Sequence, residues 1–182
     1  MKILEAINKR RSIRDFSSKP VEQEKLSTII QSGNLAPVFG EIHFTVIENK
    51  NLLQKIAATT VSMMKSSGDE FAVKQASSDG YNPVYNSPIM IVISAKGGND
   101  KMGFNMANVS CAAQNMLLSA TDLGLGSCFV MAPLMSFANP EISNQSKIPA
   151  DYIPLVAVLI GYSDVPMNER EVNSKNNVNY CK

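Results

Sequence analysis

The chain has 182 residues, 45% of them apolar, and its formal net charge at pH 7 is +1. That length and composition suit one domain, 1–182, around one sizeable core, and the near-neutral balance argues against the extended basic face of a general nucleic-acid-binding protein. No apolar run approaches the roughly 20 residues that span a bilayer, and the start, MKILEAINKRRS, lacks an apolar stretch leading to a small-residue cleavage site, so a cytoplasmic protein with no membrane partner is expected.

Ile3, Leu4 and Ile7 have helical spacing, which predicts a short amphipathic helix over Met1 to Lys9. That helix delivers RRSIR, Arg10 to Arg14, at or just beyond its C-terminal end. Between Lys9 and Lys19 stand five cations and one anion, Asp15, a local net charge of +4. Cations at a helix C-terminus complement its dipole, which accounts for some of them without any ligand. The same residues also supply guanidinium forks, a hydroxyl and backbone N–H groups within one turn, a donor set suited to a phosphate monoester. On these residues alone both readings stand.

A second helix is predicted from Glu22 to Ser32, with Leu26, Ile29 and Ile30 on its buried face and Gly33 as its stop. Pro37 then forces a loop. HFTVIE, His43 to Glu48, reads as a strand, and the next helix carries Leu52, Leu53, Ile56, Val61 and Met64. Ser66 to Pro83 is polar and glycine-bearing, an excursion or a short helix between loops, with Asp69 and Glu70 solvated.

PIMIVISA, Pro88 to Ala95, fits a strand buried on both faces. From Phe104 to Leu123 the pattern is a helix that is apolar nearly all round, placing it centrally or in an oligomer interface. Gly124 to Pro133, GLGSCFVMAP, reads as a helix stop and then a strand, and Pro154 to Gly161 as another buried strand. The tail from Tyr162 is polar and either frayed or wrapped on another surface. Helices and strands mix without a βαβ repeat, so the fold class is α+β.

Cys111, Cys128 and Cys181 are odd in number and widely spaced, and His43 is the only histidine. A disulfide framework or a Cys/His metal site is therefore not expected. Cys111 reads as a small core residue, Cys128 has no cation beside it in sequence to lower its pKa, and His43 reads as structural.

RRSIRDF, a proline-led helix PVEQEKLSTII, then LAP and HFTVI together resemble the N-terminal half of the nitroreductase family. The resemblance continues through YNSPIMIVISA, NMANVSCAAQNMLLSATDLGLGSCFV and KIPADYIPLVAVLIGY. It implies a nitroreductase-like fold with a mixed central sheet flanked by helices and a long central helix at the interface of a homodimer. It implies a tail, about 163–182, wrapped onto the partner subunit. It also implies FMN as cofactor and NAD(P)H and a small electron acceptor, a nitroaromatic or quinone, as substrates that take turns over one ring face in ping-pong order.

Carried onto these positions, the resemblance gives Arg10, Arg11, Ser12 and Arg14 to the FMN phosphate and ribityl chain. Arg170 completes the phosphate site, with Lys175 competing for that place. Phe129, Val130, Met131 and Ala132 run beside the flavin ring, and Asn82 is a candidate donor to its N1 and O2 edge. No catalytic side chain and no metal are implied, because the flavin carries the chemistry. One departure stands out: the loop Val38 to His43 lacks the asparagine and glutamine usual in the family. That motivates an alternative, a redox-inert FMN-binding protein acting as carrier or sensor.

Overall fold

The structure, a computed structural model, describes residues 1–98, 101–171 and 177–181. Four strands, β1 (Ile42–Ile47), β2 (Ile89–Lys96), β3 (Gly126–Val130) and β4 (Tyr152–Gly161), form a sheet in the order β1-β2-β4-β3. All three strand pairs are antiparallel. The parallel part of the mixed sheet expected from the sequence is confined, among the described residues, to one isolated bridge between Ser12 and Ser127.

The helices are α1 (Ile3–Lys9), α2 (Gln23–Asn34), α3 (Lys50–Lys65), α4 (Glu70–Ala76), α5 (Met102–Asp122) and α6 (Pro140–Ser146), with a 3₁₀ segment at Ala132–Ala138. They divide between the faces of the sheet by strand alternation. Ile89, Ile91, Ile93 and Ala95 of β2 pack with α2 and α5, whereas Met90 and Val92 pack with α3 and α6. Every residue of β2 but Lys96 is buried, as its continuous apolar run predicts. Among the described residues no helix is long and apolar enough to cross a membrane.

Three local outcomes differ from the sequence reading. Gly33 does not stop α2 but lies inside it, because a Cβ there would collide with Met116 of α5 and stand 3.1 Å from Phe44. Asp69 is not merely solvated: its side chain accepts from the Ala72 N–H at 3.0 Å and starts α4. Cys111 is exposed, because only one side of α5, marked by Val109, Ala112, Ala113 and Met116, faces the core.

The other side of α5 shows solvent Phe104, Ala107, Cys111 and Gln114. Nearby elements are also uncovered in the single chain, with Ile3 at 64%, Leu4 at 70% and Leu35 at 82% exposure. The tail as far as Arg170 lies on its own chain, since Arg11 Nη2 donates to the Asn168 carbonyl at 2.8 Å.

Candidate functional site

RRSIR lies along the outer edge of β3. The Ile13 N–H donates to the Ser127 carbonyl at 2.9 Å, and the Ile13 side chain, 1% exposed, sits against Gly126. Strand-like alternation then decides the rest: with Ile13 turned inward, its neighbours Ser12 and Arg14 face solvent.

The cations of this segment separate into two groups. Lys9 Nζ binds Glu5 at 2.7 Å within α1, and Lys19 Nζ lies 3.8 Å from the Tyr162 ring centroid. Arg10, Arg11 and Arg14 remain, and among the described residues none of them is ion-paired.

Arg170 joins this group from the far end of the chain. Its backbone N–H and Nε donate to the Asn8 carbonyl at 3.2 and 3.3 Å, and its Nη2 to the Ile7 carbonyl at 3.2 Å. It thereby caps the last turn of α1, whose carbonyls have no helical partner. Burial, and then repulsion from Arg170, push the Arg10 guanidinium below its ordinary pKa. Arg11 Nε and Ser127 Oγ are buried and find no hydrogen-bond partner among the described residues. Crowded cations and orphaned donors of this kind are relieved by an anion. Lys175, the competitor for Arg170, lies outside the described residues.

Cys128 corrects the sequence reading in one respect and supports it in another. The fold does bring cations to it, Arg14 and Arg10, together with a hydrogen bond to Ser12. Burial nevertheless outweighs them and pushes the thiol up, so Cys128 is a protonated packing residue with no thiolate to offer.

Phe129, Val130, Met131 and Ala132 continue the same edge. Phe129 and Met131 face solvent, at 36% and 50% exposure, and Val130 is buried. Ala132 opens the 3₁₀ segment, with Pro133 fixing its first turn.

Beyond Arg14 stands a turn that the sequence does not announce. Tyr85 and Asn86 take φ of +49° and +58°, two successive non-glycine residues in the left-handed region. Hydrogen bonds hold them there. The Tyr85 N–H donates to the Asn82 carbonyl at 3.0 Å, and Asn82 Nδ2 donates to Asn86 Oδ1 at 2.8 Å. Asn82 Oδ1 accepts from the Val84 N–H at 2.9 Å, so the Asn82 amide is engaged at both ends in shaping the turn. The result is a Tyr85 ring 5.9 Å from the Arg14 guanidinium.

The loop after Pro37 is held by an amide that sequence reasoning did not single out. Asn108 of α5 accepts from the Phe39 N–H at 3.0 Å and donates to the Phe39 carbonyl at 2.6 Å. The Phe39 ring is left 84% exposed. His43, on β1, meets the Tyr152 ring at a 55° tilt with the centroids 5.5 Å apart, which fits the structural role expected of it.

A relative from Methanothermobacter thermautotrophicus, named "Putative NADH dehydrogenase/NAD(P)H nitroreductase", is 27% identical over 168 residues, 89% of this chain and 78% of its own. Two crystal structures share the fold along the full length of both chains. One is a nitroreductase with bound FMN from Desulfitobacterium hafniense, TM-score 0.88 and 24% identity. The other is a nitroreductase with bound FMN from Bacteroides fragilis, TM-score 0.86 and 22% identity. The description "Nitroreductase family" matches residues 7–162. That span runs from α1 through the arginine segment to the last strand of the sheet, and the chain belongs to the nitroreductase family.

Proposed function

We propose that this chain is an FMN-dependent oxidoreductase that passes hydride from NAD(P)H through FMN to a nitroaromatic, quinone or similar small acceptor in a ping-pong sequence. The observation that carries the proposal is the group Arg10, Arg11 and Arg170 beside Ser12, close together and without a counter-ion among the described residues. The donor set fits a phosphate monoester: three guanidiniums for the charge, a hydroxyl, and buried donors without partners among the described residues.

Bound FMN supplies the two-electron carrier, so the protein needs no acid–base pair of its own. Its residues divide the work of holding the cofactor. Arg10, Arg11, Ser12 and Arg170 take the phosphate end, Arg14 lies farther along toward Tyr85, and Phe129 to Ala132 border the ring. The names of the relatives, which include NAD(P)H and FMN, agree with this reading.

The working unit is a homodimer of single-domain chains. Its support is the uncovered apolar surface of α1, the loop after α2 and α5, with Ile3, Leu4, Leu35, Phe39 and Phe104 exposed, since clustered exposed apolar side chains mark interaction surfaces.

The visible spectrum tests the cofactor first: bands near about 375 and 450 nm should appear in the purified protein or after FMN is added. Their absence in both samples overturns the proposal. Anaerobic NADH or NADPH should then bleach those bands. Bound flavin that neither nucleotide reduces would leave the redox-inert carrier as the function.

A further inference from the structure

Arg14 reaches solvent from a fixed base. Its neighbour Ile13 is 1% exposed and belongs to the core cluster that also holds Phe16, Val84 and Cys128. The side chain beyond that base is long, and an exposed arginine loses many rotamers when it meets a ligand. Among the described residues no carboxylate pairs with it. An aromatic ring lies against it instead: the guanidinium carbon stands over Tyr85, 5.9 Å from the ring centroid.

Tyr85 is itself fixed at both its ring and its backbone. The side chain, partly buried, packs against the same cluster that buries Ile13. The backbone takes φ of +49°, followed by +58° at Asn86, a conformation that costs any residue with a Cβ. Three hydrogen bonds keep it there: Tyr85 N–H to the Asn82 carbonyl at 3.0 Å, Asn82 Nδ2 to Asn86 Oδ1 at 2.8 Å, and Val84 N–H to Asn82 Oδ1 at 2.9 Å. Strain that the surroundings maintain in this way is a recurring feature of ligand sites.

The kind of partner decides what Arg14 can still do. A carboxylate would also order the guanidinium, but it would occupy N–H donors and cancel the charge. A ring face attracts the cation through its quadrupole. It therefore leaves the charge uncancelled and the in-plane N–H donors available to an anion.

We propose that Tyr85 is a positioning residue that orders the Arg14 guanidinium in advance of the ligand while leaving its charge and its donors free. That the ligand is FMN rests on the reading given above; the ordering of Arg14 by Tyr85 does not.

A double-mutant cycle on FMN affinity, followed by flavin fluorescence, tests the pair. Tyr85→Asn and Tyr85→Gly remove the ring with the residues that best tolerate a left-handed backbone. Each should weaken FMN about threefold, the size of an exposed cation–π contact. Tyr85→Phe restores the ring and should restore the affinity. Combined with Arg14→Ala, Tyr85→Asn should have no further effect. Wild-type affinity in both ring-less variants overturns the assignment, and so does a Tyr85→Phe protein as weak as they are. An undiminished loss in the Arg14→Ala background overturns it too, by making the ring a support of the turn alone.

The FMN-free protein supplies a second readout. Ring current should move the Arg14 Cδ protons upfield in the NMR spectra of wild type and Tyr85→Phe, and not in Tyr85→Asn or Tyr85→Gly. Unshifted Arg14 protons in the wild type overturn the proposal. A shift that follows the ring in a protein that never binds FMN keeps the ordering of Arg14 and refutes the flavin reading alone.

Discussion

Ile13 donates its N–H to the carbonyl of Ser127 at 2.9 Å, and this bond fixes which side of RRSIR meets solvent. A one-residue slip would turn Ser12 and Arg14 inward and expose Ile13. Gly126 enforces the register, since a Cβ there would stand 3.0, 3.1 and 3.2 Å from three atoms of Ile13. Gly126→Ala should destabilise the fold by about 1–3 kcal/mol through overpacking and weaken FMN binding as well. Urea unfolding and flavin titration measure the two effects. Full stability with intact FMN affinity would show that the segment tolerates displacement.

Arg14→Ala should weaken FMN binding by about 1.5–3 kcal/mol, the contribution of one charge-assisted hydrogen bond. Arg170→Ala should act on two quantities together, because the same side chain caps α1 and crowds Arg10. Both FMN affinity and the protection of α1 amides from hydrogen exchange should fall. Unchanged FMN affinity in both variants would remove RRSIR and Arg170 from the phosphate site.

Thiol labelling reads out the association state. In a free monomer Cys111 and Cys181 are exposed and Cys128 is buried, so Cys111 should react readily with a disulfide reagent. Dimer formation through the α5 face should protect it, and Phe104→Glu should both dissociate the dimer and restore labelling of Cys111. A dimer by sedimentation in which Cys111 reacts at the monomer's rate would place the interface elsewhere.

Glu22 gives a pH dependence of known sign. The Tyr162 hydroxyl donates to both of its carboxylate oxygens, at 2.9 and 2.7 Å, and with the Lys25 charge nearby holds the carboxyl below its ordinary 4.5. A carboxyl lowered in the folded state adds stability above its unfolded pKa and loses it as pH falls through the folded one. Glu22→Gln should therefore be slightly less stable than the wild type at pH 7. The gap should close when both are unfolded in urea well below pH 4.5. An equal gap at both pH values would assign the effect to packing.

Much of the fold is legible because its signals are local. The apolar run Pro88 to Ala95 and the periodic helix of Leu52, Leu53 and Ile56 identify β2 and α3 by spacing alone. The extent of the arginine cluster is less so: Arg10 to Arg14 show themselves as charge, but Arg170 enters through resemblance, since no pattern pairs it with Asn8. Cys128 beside Arg14 was invisible because it depends on the pairing of Ser12 with Ser127 across most of the chain. Gly33 looks like a helix stop until α5 is packed against it. Tyr85 and Asn86 carry no turn signal stronger than the prolines around them, so their left-handed backbone is a product of tertiary clamping.

The links between Arg170 and Ile7 and between Asn168 and Arg11 join positions 163 and 157 residues apart. Contacts of such long range close the largest loops and form late in folding. During synthesis α1 and RRSIR emerge well before Arg170, so this part of the arginine cluster must wait for almost all of the domain before Arg170 reaches it. An anion that fits only the completed cluster therefore favours the fully closed chain over any shorter intermediate. On this view an anion bound there would act as a check that both ends of the domain have met.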